Sequence, residues 1–273
     1  MRVLQVAGIC HHGPSGGARS VADLCTGLKT HASVDSVFVS TASQNDLIRQ
    51  QLAQADIKVI ERFVPSLLES PLSNLRAVGA LARDPRVRNV DIVHGHAHFL
   101  GPKRLAGLLR KPLVITLRGV PGFQVRNSLR RRLTAWATRS ALRRAKGVVA
   151  ISAFLRDHLF PPRFKADFPI HVIHNACDTD LFRPGDPTVL EPLLQELRAD
   201  GGIVAGIVGR LDPGKQPQAV LELAAMMADT MPTLRFVYVG SGSEENQLRA
   251  AIRRRGLEDR VMLLGYRESI ADI

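Results

Sequence analysis

The sequence predicts an α/β protein with two domains, each built on a parallel sheet that helices cover on both faces. Short runs rich in β-branched residues alternate with stretches of helical periodicity along the chain. A polar stretch at 183–201 divides these runs into two series, so we expect a first domain at 1–182 and a second at 202–273. A chain of 273 residues is long enough for two modest cores.

The first series opens with a strand at 3–7, a glycine turn at 16–17 and a helix over 18–29. Four apolar residues of that helix recur at the spacing of one buried face, namely Val21, Leu24, Cys25 and Leu28. Further β-branched runs predict strands at 34–39, 57–60, 92–94, 113–117, 148–151 and 171–173, with helices in most of the intervals.

The second series is shorter and contains three predicted strands. We expect its first strand to be buried, because that segment is almost wholly apolar. Ser241 and Glu244 follow the second strand and predict a capping box for the helix after it. The strands are predicted at 203–208, 234–239 and 261–264, with the two helices ending near Met227 and Arg255.

The chain is strongly basic, since 37 Lys and Arg against 25 Asp and Glu leave a formal net charge of +12. This excess favours anionic partners, namely nucleic acid, an acidic membrane face or phosphorylated substrates. Nucleic acid ranks last, because only 5% of the residues are aromatic. Three widely spaced cysteines predict no disulfide framework. With neither a signal-peptide pattern nor an apolar run of about 20 residues, the expected location is the cytoplasm.

Two loops that follow predicted strands have the chemistry of anion-binding sites. Gly16 and Gly17 precede a helix, whose N-terminus offers unpaired N–H groups to an anion, although a tight turn explains the pair equally well. Arg210 and Lys215 follow the strand at 203–208, at the sheet edge where α/β proteins bind ligands. Together they match the charge of a diphosphate; solvated loop cations are the alternative. No G-x-G-x-x-G sequence supports a nicotinamide cofactor.

Three histidines alternate along an extended segment, at positions 94, 96 and 98. Alternation places them on one side of a strand, which is compatible with a metal site. No carboxylate or cysteine accompanies them at ligand spacing, so we expect no metal and interpret His94 and His96 as polar residues lining a cleft.

The segment 123–146 predicts a basic amphipathic helix, since it holds eight cationic residues and no acid. Leu129, Leu133 and Trp136 fall on one stripe of this helix. Such a helix either lies on an anionic membrane or packs its stripe on the sheet. The arginines around the stripe are Arg130, Arg131, Arg132, Arg139 and Arg143.

Seven segments, in the expected order along nearly the whole chain, resemble family-four glycosyltransferases, the large retaining group with the GT-B fold. Each match is weak alone, but seven in register are specific. They are GGA at 16–18, DIVHGH at 91–96, VAISAFL at 149–155, VIHNACDTDLF at 172–182, GRLDPGK at 209–215, VGSGSE at 239–244 and RVMLLGYR at 260–267.

The resemblance implies a GT-B-like pair of Rossmann-like domains and transfer of a sugar from a nucleotide-sugar, which is a co-substrate rather than a cofactor. It implies a glycan or glycolipid acceptor of the cell envelope on the first domain, and it requires no metal. By residue, it assigns the donor diphosphate to Arg210, Lys215, Gly16 and Gly17, the side of the nucleotide base to Gly240, Tyr266 and Arg267, and the acceptor side of the cleft to His94, His96, Arg118 and Asn175.

Two features depart from the family pattern. Arg118 stands where the family usually has a histidine, and an arginine does not shuttle protons near neutral pH, although it binds phosphate. The "EGFG"-like stretch with its paired glutamates is missing, so the second domain is expected to be incomplete, with 203–208 left as an edge strand. We therefore expect this chain alone to be inactive or dependent on a partner. The alternative is a non-catalytic remnant that binds acceptor, lipid or protein.

Overall fold

The strands predicted from β-branched runs form two separate parallel sheets. The computed structural model describes residues 1–7, 16–40, 46–61, 70–96, 100–120, 128–161, 168–183, 192–198, 201–267 and 270. Contacts divide the chain into two units, Met1–Cys177 and Asp178–Ile273.

The first unit contains seven strands and seven helices within its described residues. Its strands are β1 (Arg2–Val6), β2 (Asp35–Ser40), β3 (Lys58–Glu61), β4 (Ile92–His96), β5 (Leu113–Leu117), β6 (Gly147–Ala150) and β7 (Ile170–Val172). Its helices are α1 (Gly16–Ala32), α2 (Asp46–Gln54), α3 (Pro71–Arg83), α4 (Pro85–Arg88), α5 (Leu100–Leu109), α6 (Ser128–Leu142) and α7 (Ala153–Leu159). Each strand lies within two residues of its predicted bounds.

The sheet of the first unit has the order β3-β2-β1-β4-β5-β6-β7, and all of its pairs are parallel. The order reverses between β1 and β4, where Gln5 is in register with His94. Doubly wound sheets bind ligands beyond the carboxyl ends of the strands at such a reversal. The topology therefore marks the carboxyl ends of β1 and β4 as the position of a site.

Helix α1 packs its predicted apolar face on this sheet. Val21 and Cys25 are buried, and Leu24 and Leu28 are half-buried. Burial raises the pKa of the Cys25 thiol to about 12, as expected of a structural rather than a reactive cysteine. Cys25 and the exposed Cys177 are both free, and Cys10 lies outside the described residues.

The second unit has a smaller sheet with the order β10-β9-β8, again parallel. Its core surrounds the central strand, where Tyr238 is fully buried and donates a hydrogen bond to the Pro217 carbonyl oxygen at 2.7 Å. Its elements are α8 (Pro192–Arg198), β8 (Ile203–Val208), a 3₁₀ turn (Pro213–Lys215), α9 (Pro217–Met226), β9 (Leu234–Val239), α10 (Glu245–Arg254) and β10 (Val261–Gly265).

Two sequence predictions for this unit are wrong. Strand β8 is not buried, because it lies at the sheet edge, where Ile203 is 54% exposed and Val208 is 52% exposed. The capping box between Ser241 and Glu244 is absent: α10 begins after Glu244, which makes no side-chain cap hydrogen bond. A long-range backbone contact replaces the cap, since the Leu211 carbonyl oxygen accepts from the Glu244 N–H at 2.9 Å. The predicted edge position of β8 is confirmed.

Candidate functional site

A cluster of polar side chains occupies the reversal point of the first sheet. His94 and His96 point to the same side of β4, with their ring centroids 4.0 Å apart. His94 Nε2 lies 2.7 Å from the Thr116 hydroxyl of β5, and His96 Nε2 lies 2.9 Å from Gln5 Oε1 of β1. Three neighbouring strands thus each contribute a polar group to this cluster.

Burial keeps both histidines uncharged. It lowers the pKa of His94 to about 4, and the nearby Arg118 cation lowers it further. The pKa of His96 also falls well below 6.5, for the same reasons and because His94 lies beside it. Since the Gln5 amide oxygen only accepts hydrogen bonds, the proton of neutral His96 is on Nε2 and its Nδ1 is an acceptor. Neither ring acts as a charged group at neutral pH.

Arg118 lies close enough to His94 and His96 for its charge to lower the pKa of both rings. We call these three residues, together with Gln5, Thr116, Ser20 and Asn175, the first-unit site. Arg118 directly follows β5, and its Nη1 donates to the Ser20 hydroxyl of α1 at 2.8 Å and to Asn175 Oδ1, beyond β7, at 3.1 Å. Burial lowers its pKa, although an arginine stays protonated. Asn175 is exposed, so the site reaches the protein surface on this side.

Three polar atoms of these residues are buried without a hydrogen-bond partner: Gln5 Nε2, His96 Nδ1 and Arg118 Nε. An unpartnered buried polar group costs about 1–3 kcal/mol, so three of them in one cluster are unusual in a native protein. The three atoms comprise two hydrogen-bond donors and one acceptor.

Gly16 and Gly17 are the first two residues of α1, and both are exposed. Ser20 lies on the next turn of the same helix and binds Arg118. The first turn of α1 contains no acidic residue, so its N-terminal dipole is not neutralised there. Through Ser20, the helix that begins at Gly16 is hydrogen-bonded to Arg118, which also binds Asn175 and lies near the two histidines of the same unit.

Sequence reasoning missed three members of this site, Gln5, Ser20 and Thr116. Gln5 is fully buried within an apolar strand, and a lone polar residue in such a strand is a signal that sequence inspection can use. Ser20 and Thr116 carried no such signal, because their roles depend on contacts across the fold.

The second unit presents its predicted residues on the loop after β8. Arg210 Nε lies 3.2 Å from Asp212 Oδ2, while Asp212 Oδ1 accepts from the Ser243 N–H at 3.1 Å and from its hydroxyl at 3.2 Å. Asp212 thus orients the Arg210 side chain and ties two loops together. Lys215 ends the 3₁₀ turn, is exposed, and donates its N–H to the Asp212 carbonyl oxygen at 2.8 Å.

Gly240 lies at the carboxyl end of β9, beside this loop. The Gly240 N–H donates to the Gly265 carbonyl oxygen of β10 at 2.7 Å, and the Gly209 N–H donates to the Val239 carbonyl oxygen at 2.9 Å. Tyr266 follows β10 and is 48% exposed, and Arg267 is exposed. The residues predicted for the diphosphate and for the nucleotide base thus lie at the carboxyl edge of the same three-stranded sheet.

Helix α6 confirms the predicted basic helix but does not pack its predicted stripe on the sheet. Leu129 is 64% exposed and Trp136 is 61% exposed, because α6 buries the opposite side, at Ala137, Thr138 and Ala141. A groove of about 790 Å³ runs along α6 beside α5, and five cations but no acid line it. These cations are Lys103, Arg132, Arg139, Arg143 and Arg144; Arg131 is also exposed, and the side chain of Arg130 lies outside the described part.

In the part of the chain that the structure describes, no group of three or more His, Cys, Asp or Glu residues is placed to hold a metal ion. His98 of the predicted histidine series lies outside that part. Across the same residues, every helix is too short or too polar to cross a membrane.

Two family profiles match the chain in succession. The profile described as Glycosyltransferase Family 4 matches residues 14–181, which is more than half of the chain. The chain belongs to Glycosyltransferase Family 4. A second profile, Glycosyl transferases group 1, matches residues 194–273. The resemblance inferred from the seven segments is therefore confirmed.

This Family 4 chain is similar to several curated transferases. It is 28% identical over 187 residues to alpha-D-kanosaminyltransferase of Streptomyces kanamyceticus, a match that covers 64% of this chain and 48% of the relative. It is 31% identical over 130 residues to 2-deoxystreptamine glucosyltransferase of the same organism, covering 47% of this chain and 33% of the relative. The chain thus spans half or less of these curated relatives.

Solved structures show the same fold. The UDP-glucose complex of Anabaena Alr3699/HepE matches with a TM-score of 0.77 at 22% identity, covering 100% of this chain and 71% of that one. A UDP-N-acetylglucosamine 2-epimerase matches with a TM-score of 0.64 at 18% identity, covering 100% and 70%. The predicted fold class is confirmed: the Family 4 chain is GT-B-like, and it spans about 70% of the length of these solved chains. Since an epimerase shares the fold, the fold alone does not define the reaction.

Proposed function

We propose that this chain supplies donor-binding and sugar-binding surfaces to a retaining glycosyltransferase that transfers a sugar from a UDP-sugar to an envelope polysaccharide or glycolipid. The observation that carries the proposal is the loop after β8, where Arg210 and Lys215 stand exposed at the carboxyl edge of a parallel sheet. Ligands of α/β sheets bind at this edge.

The arrangement of this loop suits a diphosphate. Asp212 holds Arg210 through Nε, which leaves the two terminal nitrogens of the guanidinium available for a bidentate contact. Lys215 adds a second positive charge five positions along the chain, on a turn that the Asp212 backbone closes. Two cations stabilise a departing nucleoside diphosphate without a metal. UDP is proposed as the nucleotide because HepE, which has the same fold, was solved with UDP-glucose.

The first-unit site suits the sugar. Its two neutral histidines, a glutamine, a threonine and an asparagine provide the uncharged donors and acceptors that hydroxyl groups require. The curated relatives 2-deoxystreptamine glucosyltransferase and D-inositol 3-phosphate glycosyltransferase are named for different acceptors. The envelope acceptor therefore rests on the family resemblance alone.

Calorimetry of the 273-residue chain with UDP and with UDP-glucose tests this proposal. Each good charge-assisted contact contributes about 1.5–3 kcal/mol, so Arg210→Ala and Lys215→Ala are each expected to weaken UDP binding at least tenfold. Arg254→Ala is the matched control, since this exposed cation ends α10, about 14 Å along the helix from the loop. Absence of UDP binding at millimolar concentration, or equal weakening by Arg254→Ala, would contradict the proposal and favour a non-catalytic binding module.

A second proposal concerns location. The exposed Trp136 and Leu129 beside the basic groove of α6 combine an aromatic anchor with a cluster of cations. This combination binds the surface of an anionic membrane, where headgroups meet the cations and the aromatic side chain enters the interface. We infer a cytoplasmic protein that associates peripherally with the inner face of the plasma membrane.

A further inference from the structure

The charge of Arg118 has no counterpart in the first-unit site. No carboxylate of the described residues lies within ion-pair distance of its guanidinium. Its two described partners, Ser20 Oγ and Asn175 Oδ1, are neutral oxygens. Placing a partly buried cation among neutral groups costs desolvation energy that these hydrogen bonds repay only in part.

The rest of the site is uncharged as well. His94 and His96 are neutral at physiological pH, and Gln5 and Thr116 carry no charge. A site that bound only the hydroxyl groups of a neutral sugar would not need this cation. The site is therefore uncharged except at one position, where the Arg118 cation lies beside the N-terminal turn of α1.

The donor capacity of Arg118 is also only partly used. A guanidinium has five N–H groups; Nη1 serves Ser20 and Asn175, whereas Nε is buried without a partner. His96 Nδ1 and Gln5 Nε2, from residues that are at most 1% exposed, are unpartnered in the same site. Arg118 thus keeps donor capacity that Ser20 and Asn175 do not use.

We propose that Arg118 is a specificity-determining residue that binds an anionic substituent, a carboxylate or a phosphate, on the sugar that the first-unit site accommodates. This substituent is separate from the diphosphate of the donor. The inference rests on the proposed function, because it assumes that the site binds a sugar. The anionic group belongs either to the transferred sugar or to the acceptor, and the chemistry that Arg118 recognises is the same in both cases.

A matched ligand pair tests the first source. UDP-glucose and UDP-glucuronate differ only at C6, which is a neutral hydroxymethyl group in the first and a carboxylate in the second. If the transferred sugar carries the charge, the chain binds UDP-glucuronate at least about tenfold more tightly, and Arg118→Gln removes this preference while leaving the affinity for UDP unchanged. Glucose and glucose 6-phosphate test the acceptor source in the same way, and their comparison does not depend on nucleotide binding.

Two variants separate recognition from support of the fold. Ser20→Ala removes a hydrogen-bond partner of Arg118 but keeps the cation, so the preference for the charged ligand is expected to persist. Arg118→Lys keeps the charge without the planar fork and is expected to retain part of the preference. The unfolding midpoint of each variant, measured alongside, reports whether the variant folds.

The outcomes are distinct. A preference for the charged member of either pair that Arg118→Gln abolishes supports the inference. Equal weakening of UDP, UDP-glucose and UDP-glucuronate by Arg118→Gln overturns it, because the arginine would then bind the diphosphate. Equal affinity of the parent chain for both members of both pairs also overturns it. Failure of UDP to bind contradicts the proposed function instead, and the sugar phosphate comparison still decides the role of Arg118.

Discussion

Gly240 packs directly on Gly209, at the carboxyl ends of two neighbouring strands of the second unit. A Cβ atom on Gly240 would overlap the Gly209 carbonyl oxygen, and the φ angle of Gly240 is +142°, a conformation that L side chains rarely adopt. The same loops meet at Gly242 and Leu211, where a Cβ atom would also collide with backbone. This backbone packing positions the loop that carries Arg210.

The Gly240→Ala variant is expected to destabilise the second unit by about 3 kcal/mol or more, because backbone on both sides of the contact must shift. Gly256→Ala is the control, since Gly256 also has positive φ, at +62°, but open space around it. That variant is expected to cost only about 1–2 kcal/mol. Hydrogen exchange of the β8 and β9 peptides measures the difference locally, and equal losses for the two variants would show that the contact is unimportant.

The buried histidines predict a pH-dependent stability. Their pKa values lie below 6.5 in the folded state, so between about pH 4 and 6.5 the unfolded chain binds more protons than the folded one. The free energy of unfolding is therefore expected to fall as the pH is lowered through this window, by up to about 1.4 kcal/mol per pH unit for each histidine. Urea denaturation between pH 7.5 and 5 measures the slope.

A histidine variant tests the origin of that slope. His94→Asn removes one of the two groups and is expected to reduce the slope by up to about half. His31→Asn, on the exposed last turn of α1, is the control and is expected to leave the slope unchanged. A His94→Asn slope equal to that of the parent would refute the assignment, whatever the stability of the variant at pH 7.5.

The groove along α6 predicts binding to acidic vesicles. The parent chain is expected to cosediment with vesicles that contain phosphatidylserine, to bind less at high salt, and to bind neutral vesicles weakly. Arg139→Gln with Arg143→Gln removes two lining charges and is expected to weaken binding by about 2 kcal/mol, roughly thirtyfold. The matched control, Arg253→Gln with Arg254→Gln on α10, loses the same charge elsewhere. Equal losses for the two pairs would point to net charge rather than the groove.

Much of the fold is predictable from local sequence. The ten strands within the described residues follow from β-branched runs, and α1 follows from the spacing of Val21 and Cys25, because these patterns reflect which face of a short segment is buried. The family follows from seven short motifs in register. That Arg210, Lys215, Gly16 and Gly17 bind a diphosphate stays a prediction.

Other features depend on contacts between distant parts of the chain. The strand at 203–208 is as apolar as a central strand, so its local pattern suggests burial, whereas its exposure follows from the edge position that the family resemblance predicts. Likewise, Ser241 and Glu244 have the spacing of a capping box, but the Leu211 carbonyl oxygen accepts from the Glu244 N–H that the Ser241 side chain would otherwise cap. Local sequence preferences do not predict the structure where tertiary contacts satisfy the same backbone groups.

The sequence by itself determined the strands, the family, and the positions of His94 on β4 and of Arg118 directly after β5, because these depend on the character of short segments and on the order of motifs. Only the tertiary structure decided that His96 binds Gln5, 91 positions away, and that Arg118 binds Ser20, 98 positions away. The physical reason is that a hydrogen bond between side chains depends on distance and direction in space. Both are set by the order in which strands assemble into a sheet, and no local pattern encodes that order.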